Sequence, residues 1–361
     1  MTGSPGVPGA AVAERPASPA GTVARTTGLR IGIVNPEAWT FLHGLHDWLA
    51  ARHQVAVFQP RGSRAAFFRE RILRQRLRRD LRAFLRAHDV VFFEWASDLL
   101  ALASSLPEAG RCAIVTRLHR YELYTWADRI HWDAVDRVIV VSQAKARAFA
   151  ARFPDHAAKT TVVPVGTPLD RFVFRPRPFA GVIGTLCHIS PRKRIYDLLL
   201  ALAGPLAEHP SWRVRIGGAP MPEHGDYDEA VRRLVRRLGL ESRVTFDGVV
   251  ERAWEWYQGI DVFVSHSYSE GLQVAPAEAM ASGCYALSHD WDGADELLPD
   301  DCRYVTDAEL AGRLRAWAAL TETAREAERR RLRALAVDRF DAERGYARVD
   351  QVMRACAEGR A

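Results

Sequence analysis

The stretch IDVFVSHSYSEGLQVAPAEAMASG, residues 260–283, joins an apolar run, an acidic loop and a helix-forming segment. The apolar run is short, which predicts a buried strand. Pro276 fits the first turn of a helix, where its missing N–H costs nothing, and Gly283 is a common signal for the end of a helix. The stretch therefore predicts a strand, a loop at its carboxyl end and a helix.

The same alternation of strands and helices runs along most of the chain in two blocks. Apolar runs such as LRIGIVNP at 29–36 and DVVFFEWA at 89–96 alternate with amphipathic runs, until GTPLDRFVFRPRPFAG at 166–181 interrupts the rhythm. Strands that alternate with helices imply right-handed βαβ units on a parallel sheet. The sequence therefore predicts an α/β fold with two Rossmann-like parallel-sheet domains that face each other across a cleft, where ligands bind beyond the carboxyl ends of the strands.

The chain is predicted to divide into five parts. They are a disordered leader at 1–28, a first Rossmann-like domain at 29–170, a linker at 171–179, a second Rossmann-like domain at 180–335 and a C-terminal helix at 336–361. The leader is rich in Pro, Gly, Ala and Ser, and it lacks the basic start and apolar region of a signal peptide. One interpretation of the C-terminal helix is that it crosses back to the first domain.

The composition is that of a globular chain, because 48% of the 361 residues are hydrophobic and 26% are charged. No window reaches the ~18 uninterrupted apolar residues that a membrane-spanning helix needs. The cysteines lie far apart without a CxxC motif, which favours reduced thiols in a cytoplasmic protein over disulfides or a zinc site. They are Cys112, Cys187, Cys284, Cys302 and Cys356.

Two acids flank the predicted start of the helix in the opening stretch. Glu270 falls in the loop and Glu278 in the first turn or two of the helix. Between them lie the free backbone N–H groups of a helix N-terminus, which bind anions readily. A nucleotide sugar suits this arrangement, with its diphosphate on the N–H groups and its ribose and sugar hydroxyls on the two acids. A helix-capping acid beside an unrelated loop glutamate is the alternative interpretation.

Further motifs accompany this stretch in a fixed order. They are RLHRYEL at 117–123, VDRVIVVSQAKARAF at 135–149, ISPRKRIYDLLLAL at 189–202, RVTFDGVV at 243–250 and DGADELLPDD at 292–301. Together they resemble the retaining glycosyltransferases of the GT-B fold, in the glycosyltransferase family 4-like group (glycosyl transferases group 1). The resemblance covers the chain from about residue 30 onward. It implies that the first domain is the acceptor side and that the second binds the nucleotide sugar.

The resemblance also implies roles for single residues. Glu278 would bind the ribose hydroxyls of the donor, and Glu270 would lie at the donor sugar. Lys193, with Arg192 as its helper, would neutralise the leaving diphosphate as charge develops on it. The catalytic candidates are thus Glu270, His119 and Lys193, and the donor-binding candidates are Arg192, Lys193, Glu270, Gly271, Leu272, Gln273, Val274 and Glu278.

The first domain departs from the family pattern, which affects the candidates for the acceptor side. The first strand of the family leads into a Gly-Gly turn, whereas this chain reads NPEAWTFLHG, so Trp39 and Thr40 are expected to face the ligand instead. His119, at the end of a predicted strand, matches a histidine that reaches the cleft and contacts the donor or the acceptor.

In the second domain, Thr185 stands where the family has an arginine, so the phosphate contact would rest on Arg192 and Lys193.

The activity implied is that of a cytoplasmic retaining glycosyltransferase without a metal or other cofactor. Its donor would be a nucleotide-diphosphate sugar such as a UDP-sugar or GDP-sugar. Its acceptor would be a hydroxyl on a natural product, a cell-envelope glycan or a lipid-linked intermediate. The alternatives are a sugar-nucleotide epimerase, a hydrolase or a phosphorylase on the same fold, and a non-catalytic nucleotide-sugar-binding protein. The tripeptide DWD, Asp290–Asp292, resembles a metal-binding motif of a different transferase fold, which makes a metal site the less favoured alternative.

The net charge of +6 is concentrated in one predicted helix. Residues Arg61–Arg86 hold ten arginines against two acids, a local charge of +8 that leaves the rest of the chain close to neutral. Such an amphipathic basic helix can lie on the inner face of an anionic membrane or bind an acidic acceptor. The alternative is an ordinary solvated helix face. Nucleic acid is not expected as a partner, because no aromatic residues interleave the arginines for base stacking.

Overall fold

Two six-stranded parallel sheets form the centre of the protein in a computed structural model that describes residues 28–37, 39, 42–59 and 69–360. The first sheet consists of β1 Arg30–Val34, β2 Gln54–Val57, β3 Val90–Phe93, β4 Ala113–Leu118, β5 Arg137–Val140 and β6 Thr160–Val162. The second consists of β7 Val182–Leu186, β8 Arg213–Gly217, β9 Val244–Gly248, β10 Val262–Ser265, β11 Tyr285–His289 and β12 Arg303–Tyr304. The strand orders are β2-β1-β3-β4-β5-β6 and β12-β11-β10-β7-β8-β9. The predicted α/β class with two parallel-sheet domains is therefore confirmed.

Helices connect the strands and cover both faces of the sheets. The first domain contains α1 His43–Ala50, α2 Arg69–Ala87, α3 Asp98–Ser104, α4 Arg120–Thr125 and α5 Gln143–Arg152. The helices that follow β6 are α6 Ile195–Glu208, α7 Gly225–Arg237, α8 Ala253–Trp256, α9 Val274–Ala281, α10 Ala294–Leu297, α11 Asp307–Ala319, α12 Glu322–Arg339 and α13 Ala342–Glu358. The predicted leader, apart from residue 28, lies outside the described residues.

Strand β3 shows why the first sheet is covered on both faces. Val91 and Phe93 pack on one face with a cluster that includes residues of α2, and Val90 and Phe92 pack on the other with residues of α1 and α13. All four side chains are fully buried. A continuous apolar run of this kind is typical of a parallel strand with helices on both sides.

The chain crosses between the two domains twice, and the two crossings lie against each other. It leaves the first domain through residues 163–181 and returns between α12 and α13. Thr167 N donates to Phe340 O at 2.6 Å, and Ala342 N donates to Thr167 O at 3.2 Å. A Cβ at Gly166 would lie 2.4 Å from Ala342 Cα, so this close approach requires glycine. The crossings therefore form one narrow connection that both domains share.

Helix α13 returns to the first domain and completes its core. Val349 and Met353 are fully buried in the cluster that covers the α1 face of the first sheet. His53 Nε2 lies 2.8 Å from Asp350 Oδ1, and Arg354 Nε donates to Asp350 Oδ2 at 3.0 Å. The break before α13 comes at residues 340–341, so the predicted boundary at residue 335 falls inside α12.

The arginine-rich segment forms helix α2, whose apolar side faces the first domain. Leu81 and Leu85 are fully buried, and Leu77 and Phe84 pack partly buried against the same cluster. Its exposed side includes Arg74, Arg76, Arg78, Arg79, Arg82 and Arg86. Residues 60–68, which begin the predicted basic segment, lie outside the described part of the chain. Within the described part, no helix is long and apolar enough to cross a bilayer.

Replacing Val349 with Ala tests the contribution of α13 to the first domain. The change removes two methyl groups from a fully buried site, so we expect the free energy of unfolding to fall by about 2 kcal/mol. Urea denaturation followed by circular dichroism measures this loss. Val305→Ala makes the same change at a valine that is 60% exposed, and it should alter the free energy by less than about 0.5 kcal/mol. Equal losses in the two variants would contradict the packing of α13.

Candidate active site

The predicted strand–loop–helix unit lies at the carboxyl end of the second sheet. Strand β10 leads into a loop, Gln273 is the N-cap of α9, and Pro276 occupies the first turn. Gly283 follows the helix with a φ of +82°, a conformation that glycine adopts without strain. The first N–H groups of α9 therefore point toward the cleft side of the sheet, beside the loop that carries Glu270.

Glu270 is the centre of an ion-paired cluster. Its side chain is almost completely buried; Oε1 accepts from Lys193 Nζ at 2.6 Å, and Oε2 lies 2.7 Å from Arg192 Nη1. Burial alone raises the pKa of the Glu270 carboxyl, but the charges of Lys193 and Arg192 and hydrogen bonds from Lys193 and Ser267 outweigh it. The pKa of Glu270 therefore lies below its ordinary value, and the group is ionised at neutral pH.

Sheet topology explains why these distant residues meet. Arg192 and Lys193 lie on a short 3-10 turn that follows β7, and Glu270 lies on the loop that follows β10. Strands β7 and β10 are hydrogen-bonded neighbours in a parallel sheet, so both loops emerge at the same edge. Arg192 Nη1 also donates to Ser269 O at 3.0 Å, which ties the turn to the backbone of the loop.

Glu278 has a different environment from Glu270. Tyr257 Oη donates to Glu278 Oε2 at 3.1 Å, and no cation lies within 4.0 Å of its carboxylate among the described residues. Burial raises the pKa of Glu278 to about 7, against the smaller lowering effect of the Tyr257 hydrogen bond. The structure thus does not bring Glu278 into the ion-paired cluster. It holds a carboxyl that changes charge near neutral pH in the second turn of α9.

His119 lies in the first domain, at the end of β4, as the N-cap of α4. Its Nε2 is 3.2 Å from Glu94 Oε1, which also accepts from Arg117 Nη1 at 3.0 Å, and its ring stacks on Trp95 at 4.2 Å. Glu122 is fully buried nearby, and burial raises its pKa to about 7 although His119 opposes the shift. His119 is therefore held in an acidic and aromatic environment at the end of β4 in the first domain.

The other two acceptor-side candidates receive less support from the geometry. Trp39 packs partly buried against the cluster shared by α1 and α13, with its ring 5.4 Å from that of His43 and 5.8 Å from that of His46. Thr40 lies outside the described residues. Glu37, just before Trp39, instead accepts a hydrogen bond from Tyr121 of α4. The contacts of Trp39 thus place it on the α1 side of the loop between β1 and α1.

Residues of the first domain bind both chain neighbours of Glu270, the side chain of Ser269 and the backbone of Gly271. Arg120 Nε donates to Ser269 Oγ at 2.8 Å, and Ser142 Oγ donates to Gly271 O at 2.9 Å. A Cβ at Gly271 would lie 3.2 Å from a methyl carbon of Val141, so the glycine permits this close approach. The two domains therefore meet directly at the loop that carries the central carboxylate.

A second contact between the domains involves the N-terminus of α5. Glu296 accepts hydrogen bonds from the backbone N–H groups of Gln143 at 2.6 Å and Ala144 at 2.8 Å. A carboxylate at a helix N-terminus is stabilised by the helix dipole and by free N–H donors. A Cβ at Gly293 would lie 2.9 Å from Ala144 Cβ, so glycine again allows the approach. We call this contact the Glu296 clasp.

The aspartates of the DWD tripeptide are already engaged by cations. Asp290 Oδ1 accepts from Arg303 Nη1 at 2.5 Å, and Asp292 Oδ1 lies 3.5 Å from Arg147 Nη2. Trp291 between them is buried. Within the described residues, no group of three or more His, Cys, Asp or Glu side chains is arranged to hold a metal ion.

Several residues of this region were not singled out from the sequence. The motifs RLHRYEL, VDRVIVVSQAKARAF and DGADELLPDD contain Arg120, Ser142, Lys145 and Glu296, but nothing in the spacing of these residues predicts contact across the cleft. Tyr257, the partner of Glu278, lies outside those motifs. A sequence signal existed only for Ser142, which is a typical helix N-cap residue before α5.

Comparisons of the sequence with known proteins identify a matching family and individual relatives. Residues 177–320 match the family described as Glycosyl transferases group 1. The chain is 28% identical over 147 residues to the lipopolysaccharide core biosynthesis mannosyltransferase LpsB of Rhizobium meliloti (strain 1021), which covers 37% of this chain and 41% of that protein. It is 31% identical over 169 residues to D-inositol 3-phosphate glycosyltransferase 2 of Catenulispora acidiphila. That match covers 42% of this chain and 39% of that protein. The chain thus spans about two fifths of the length of these curated relatives.

Solved structures match the fold over most of the chain. Anabaena HepE in complex with UDP-glucose superposes with a TM-score of 0.72 at 20% identity, over 91% of this chain and 100% of that one. Sucrose-phosphate synthase from Thermosynechococcus elongatus superposes with a TM-score of 0.72 at 17% identity, over 91% of this chain and 99% of that one. These structures confirm the predicted GT-B fold, and the family match confirms the resemblance to glycosyl transferases group 1 for residues 177–320.

Replacing Glu296 with Gln tests the clasp between the domains. The change keeps the shape of the side chain but removes its negative charge, and a carboxylate at a helix N-terminus contributes about 1 kcal/mol. We therefore expect the variant to populate open arrangements more often, with a larger radius of gyration in small-angle X-ray scattering. Asp295→Asn makes an equivalent change at the exposed neighbouring acid and should leave the radius unchanged. An unaltered radius in Glu296→Gln would show that the clasp contributes little to closure.

Replacing Glu278 with Gln tests the raised pKa of this carboxyl. The unfolded chain releases the proton near pH 4.5, whereas the folded protein retains it to about pH 7, so the group destabilises the fold increasingly between these values and fully above them. Gln cannot ionise, and the variant should melt higher than wild type by about 3 °C or more at pH 8. Differential scanning fluorimetry should show that this gain shrinks to a small fraction at pH 5. An equal gain in melting temperature at pH 5 and pH 8 would contradict the raised pKa of Glu278.

Proposed function

We propose that this protein is a cytoplasmic retaining glycosyltransferase that moves a sugar from a nucleotide-diphosphate sugar to a hydroxyl acceptor without a metal ion. The observation that carries the proposal is the ion-paired cluster of Glu270, Lys193 and Arg192 beside the N-terminus of α9. Donor-binding cations, an ionised carboxylate and free N–H groups meet there at the carboxyl edge of a parallel sheet, which is where such sheets bind nucleotides. The match to Glycosyl transferases group 1 covers this region.

The donor would be held by three kinds of group. Lys193 and Arg192 provide the cations for the diphosphate, and the first N–H groups of α9 provide further donors to it. Glu278 would accept hydrogen bonds from the ribose hydroxyls through the carboxyl group that Tyr257 also contacts. Two of the solved structures with this fold contain UDP with glucose or UDP-glucose, and uridine is therefore the first base to test.

The transfer step follows from the charge distribution. The acceptor oxygen forms a bond to the anomeric carbon, the bond from that carbon to the diphosphate oxygen breaks, and a phosphate oxygen takes the hydroxyl proton. Negative charge grows on the diphosphate, where Lys193 and Arg192 stabilise it more strongly than in the ground state. Glu270, ionised because of its low pKa, accepts hydrogen bonds from the sugar hydroxyls and fixes the sugar for attack on the same face.

The acceptor would approach from the first domain, where His119 is held by Glu94 and Trp95. His119 can contact either the donor sugar or the acceptor from this position. The acceptor is a hydroxyl of a natural product, a cell-envelope glycan or a lipid-linked intermediate. For a lipid-linked acceptor, the exposed arginines of α2 would bring the first domain to an anionic membrane surface.

A thermal-shift panel of UDP, GDP, ADP and dTDP tests the donor site first. A nucleotide present at ~100 times its dissociation constant adds about 2.7 kcal/mol of stability, so one member of the panel should raise the melting temperature of the wild type clearly. Glu278→Ala should reduce that shift, because it removes the acceptor for the ribose hydroxyls. Glu255→Ala, at an exposed glutamate of α8, is the matched control and should keep the full shift.

The outcomes separate the proposed transferase from its alternatives. Failure of all four nucleotides to stabilise the wild type would contradict the proposal. Glu270→Gln should retain the rise in melting temperature that the nucleotide causes. Release of sugar from the matching donor only when an acceptor is added then supports the transferase. Turnover of the donor without any acceptor would instead identify an epimerase or a hydrolase.

A further inference from the structure

Two cations of the first domain, Arg120 and Lys145, lie beside the loop that carries Glu270. Lys145 is in the first turn of α5, three residues after the N-cap Ser142, and its side chain is only 6% exposed. Arg120 opens α4 and donates through Nε to Ser269 Oγ. Both residues belong to the surface that closes on the second domain, so their charges face the cleft.

Neither cation has a carboxylate at hydrogen-bond distance among the described residues. The nearest carboxylate oxygen to Lys145 Nζ is Asp292 Oδ2 at 4.0 Å, and that aspartate is 71% exposed and is also approached by Arg147. Arg120 has no carboxylate within 4.0 Å in the described ranges; its hydrogen-bond partner is the neutral hydroxyl of Ser269. The cleft therefore contains two cations to which no carboxylate of the described residues is hydrogen-bonded.

Glu270 forms no ion pair with either of these two cations. Both of its oxygens are already bound, one by Lys193 at 2.6 Å and the other by Arg192 at 2.7 Å. Burial lowers the pKa of Lys145, as do the charges of Arg120 and Arg147, against the raising effect of Asp292 and Glu270. An ammonium group buried in this way costs free energy unless an anion compensates it.

We propose that Lys145 and Arg120 form an anion subsite on the first-domain side of Glu270, which holds a phosphate or carboxylate group carried by the donor sugar or by the acceptor. The inference rests on the proposed function, in which Lys193 and Arg192 serve the diphosphate of the donor. A second anionic group then needs other cations, and these two lie across the loop from the diphosphate cluster. A neutral pair of substrates would leave Lys145 buried with no anion nearer than the exposed Asp292 at 4.0 Å, so the subsite selects a charged substrate.

Two titrations by isothermal calorimetry distinguish the sources of the anion. The first compares UDP-glucuronate with UDP-glucose, which differ by a carboxylate on the donor sugar. The second compares glucose 6-phosphate with glucose, both with and without UDP, and places the charge on the acceptor. In one of these pairs we expect the charged probe to bind the wild type at least tenfold more tightly. Equal affinities for the charged and neutral members of both pairs would overturn the proposal.

Variants of helix α5 assign the preference to the buried lysine. Lys145→Met keeps the volume but removes the charge, and it should abolish the preference, whereas Lys145→Arg should retain it. Arg147→Met removes an exposed positive charge two residues away on the same helix and should also retain it. A preference that survives in Lys145→Met, or that disappears equally in Arg147→Met, would show that general surface charge is responsible and would overturn the proposal.

Melting temperatures separate a binding role from a structural one. Lys145→Met removes a buried charge that has no carboxylate at hydrogen-bond distance, so the variant should melt no lower than the wild type. A clear fall in melting temperature would make Lys145 a structural contact between the domains and would overturn the subsite. A wild type that binds neither UDP nor UDP-glucose contradicts the proposed function instead, and the titration with glucose 6-phosphate in the absence of UDP still tests the subsite.

Discussion

The ion-paired cluster of Glu270, Lys193 and Arg192 is the interaction on which the cleft depends. A buried carboxylate costs several kcal/mol unless cations and hydrogen bonds compensate it, and here both oxygens are compensated. The same contacts join the loop after β10 to the turn after β7, so they set the shape of the site as well as its charge. The first domain then binds this loop through Arg120 and Ser142. Closure of the two domains and the position of Glu270 are therefore coupled.

Apart from the two chain crossings and α13, the hydrogen bonds described above between the domains join polar groups of the described residues. Interfaces of this kind favour relative domain motion, because little apolar surface is lost when they separate. The crossings lie side by side at Gly166 and Thr167, which gives both domains one common pivot. Helix α13 stays with the first domain through Val349 and Asp350. An opening movement can thus break the Glu296 clasp without disturbing either core.

The two acids of the opening stretch have opposite electrostatic properties although they stand eight positions apart. Glu270 is ionised because two cations bind it, and Glu278 titrates near neutral pH because burial is opposed only by the Tyr257 hydroxyl. A carboxyl that is neutral or charged according to its surroundings suits a hydroxyl-binding role, since both forms accept hydrogen bonds. The excess of cations lies on the other side of Glu270, at Lys145 and Arg120, where the further subsite is proposed.

Local sequence patterns determined the elements of this protein, and tertiary structure decided which of them meet. The apolar run before Glu270, Pro276 and Gly283 predicted the strand, loop and helix, because strand burial and helix termination depend on neighbouring residues alone. Pairing of Glu270 with Lys193 required β7 and β10 to be neighbours in the sheet, a strand order that spacing along the chain does not reveal. The contacts of Arg120, Ser142 and Glu296 depend on how two separately folded domains approach each other. No local pattern encodes that approach, because its contacts join residues that are more than a hundred positions apart in the chain.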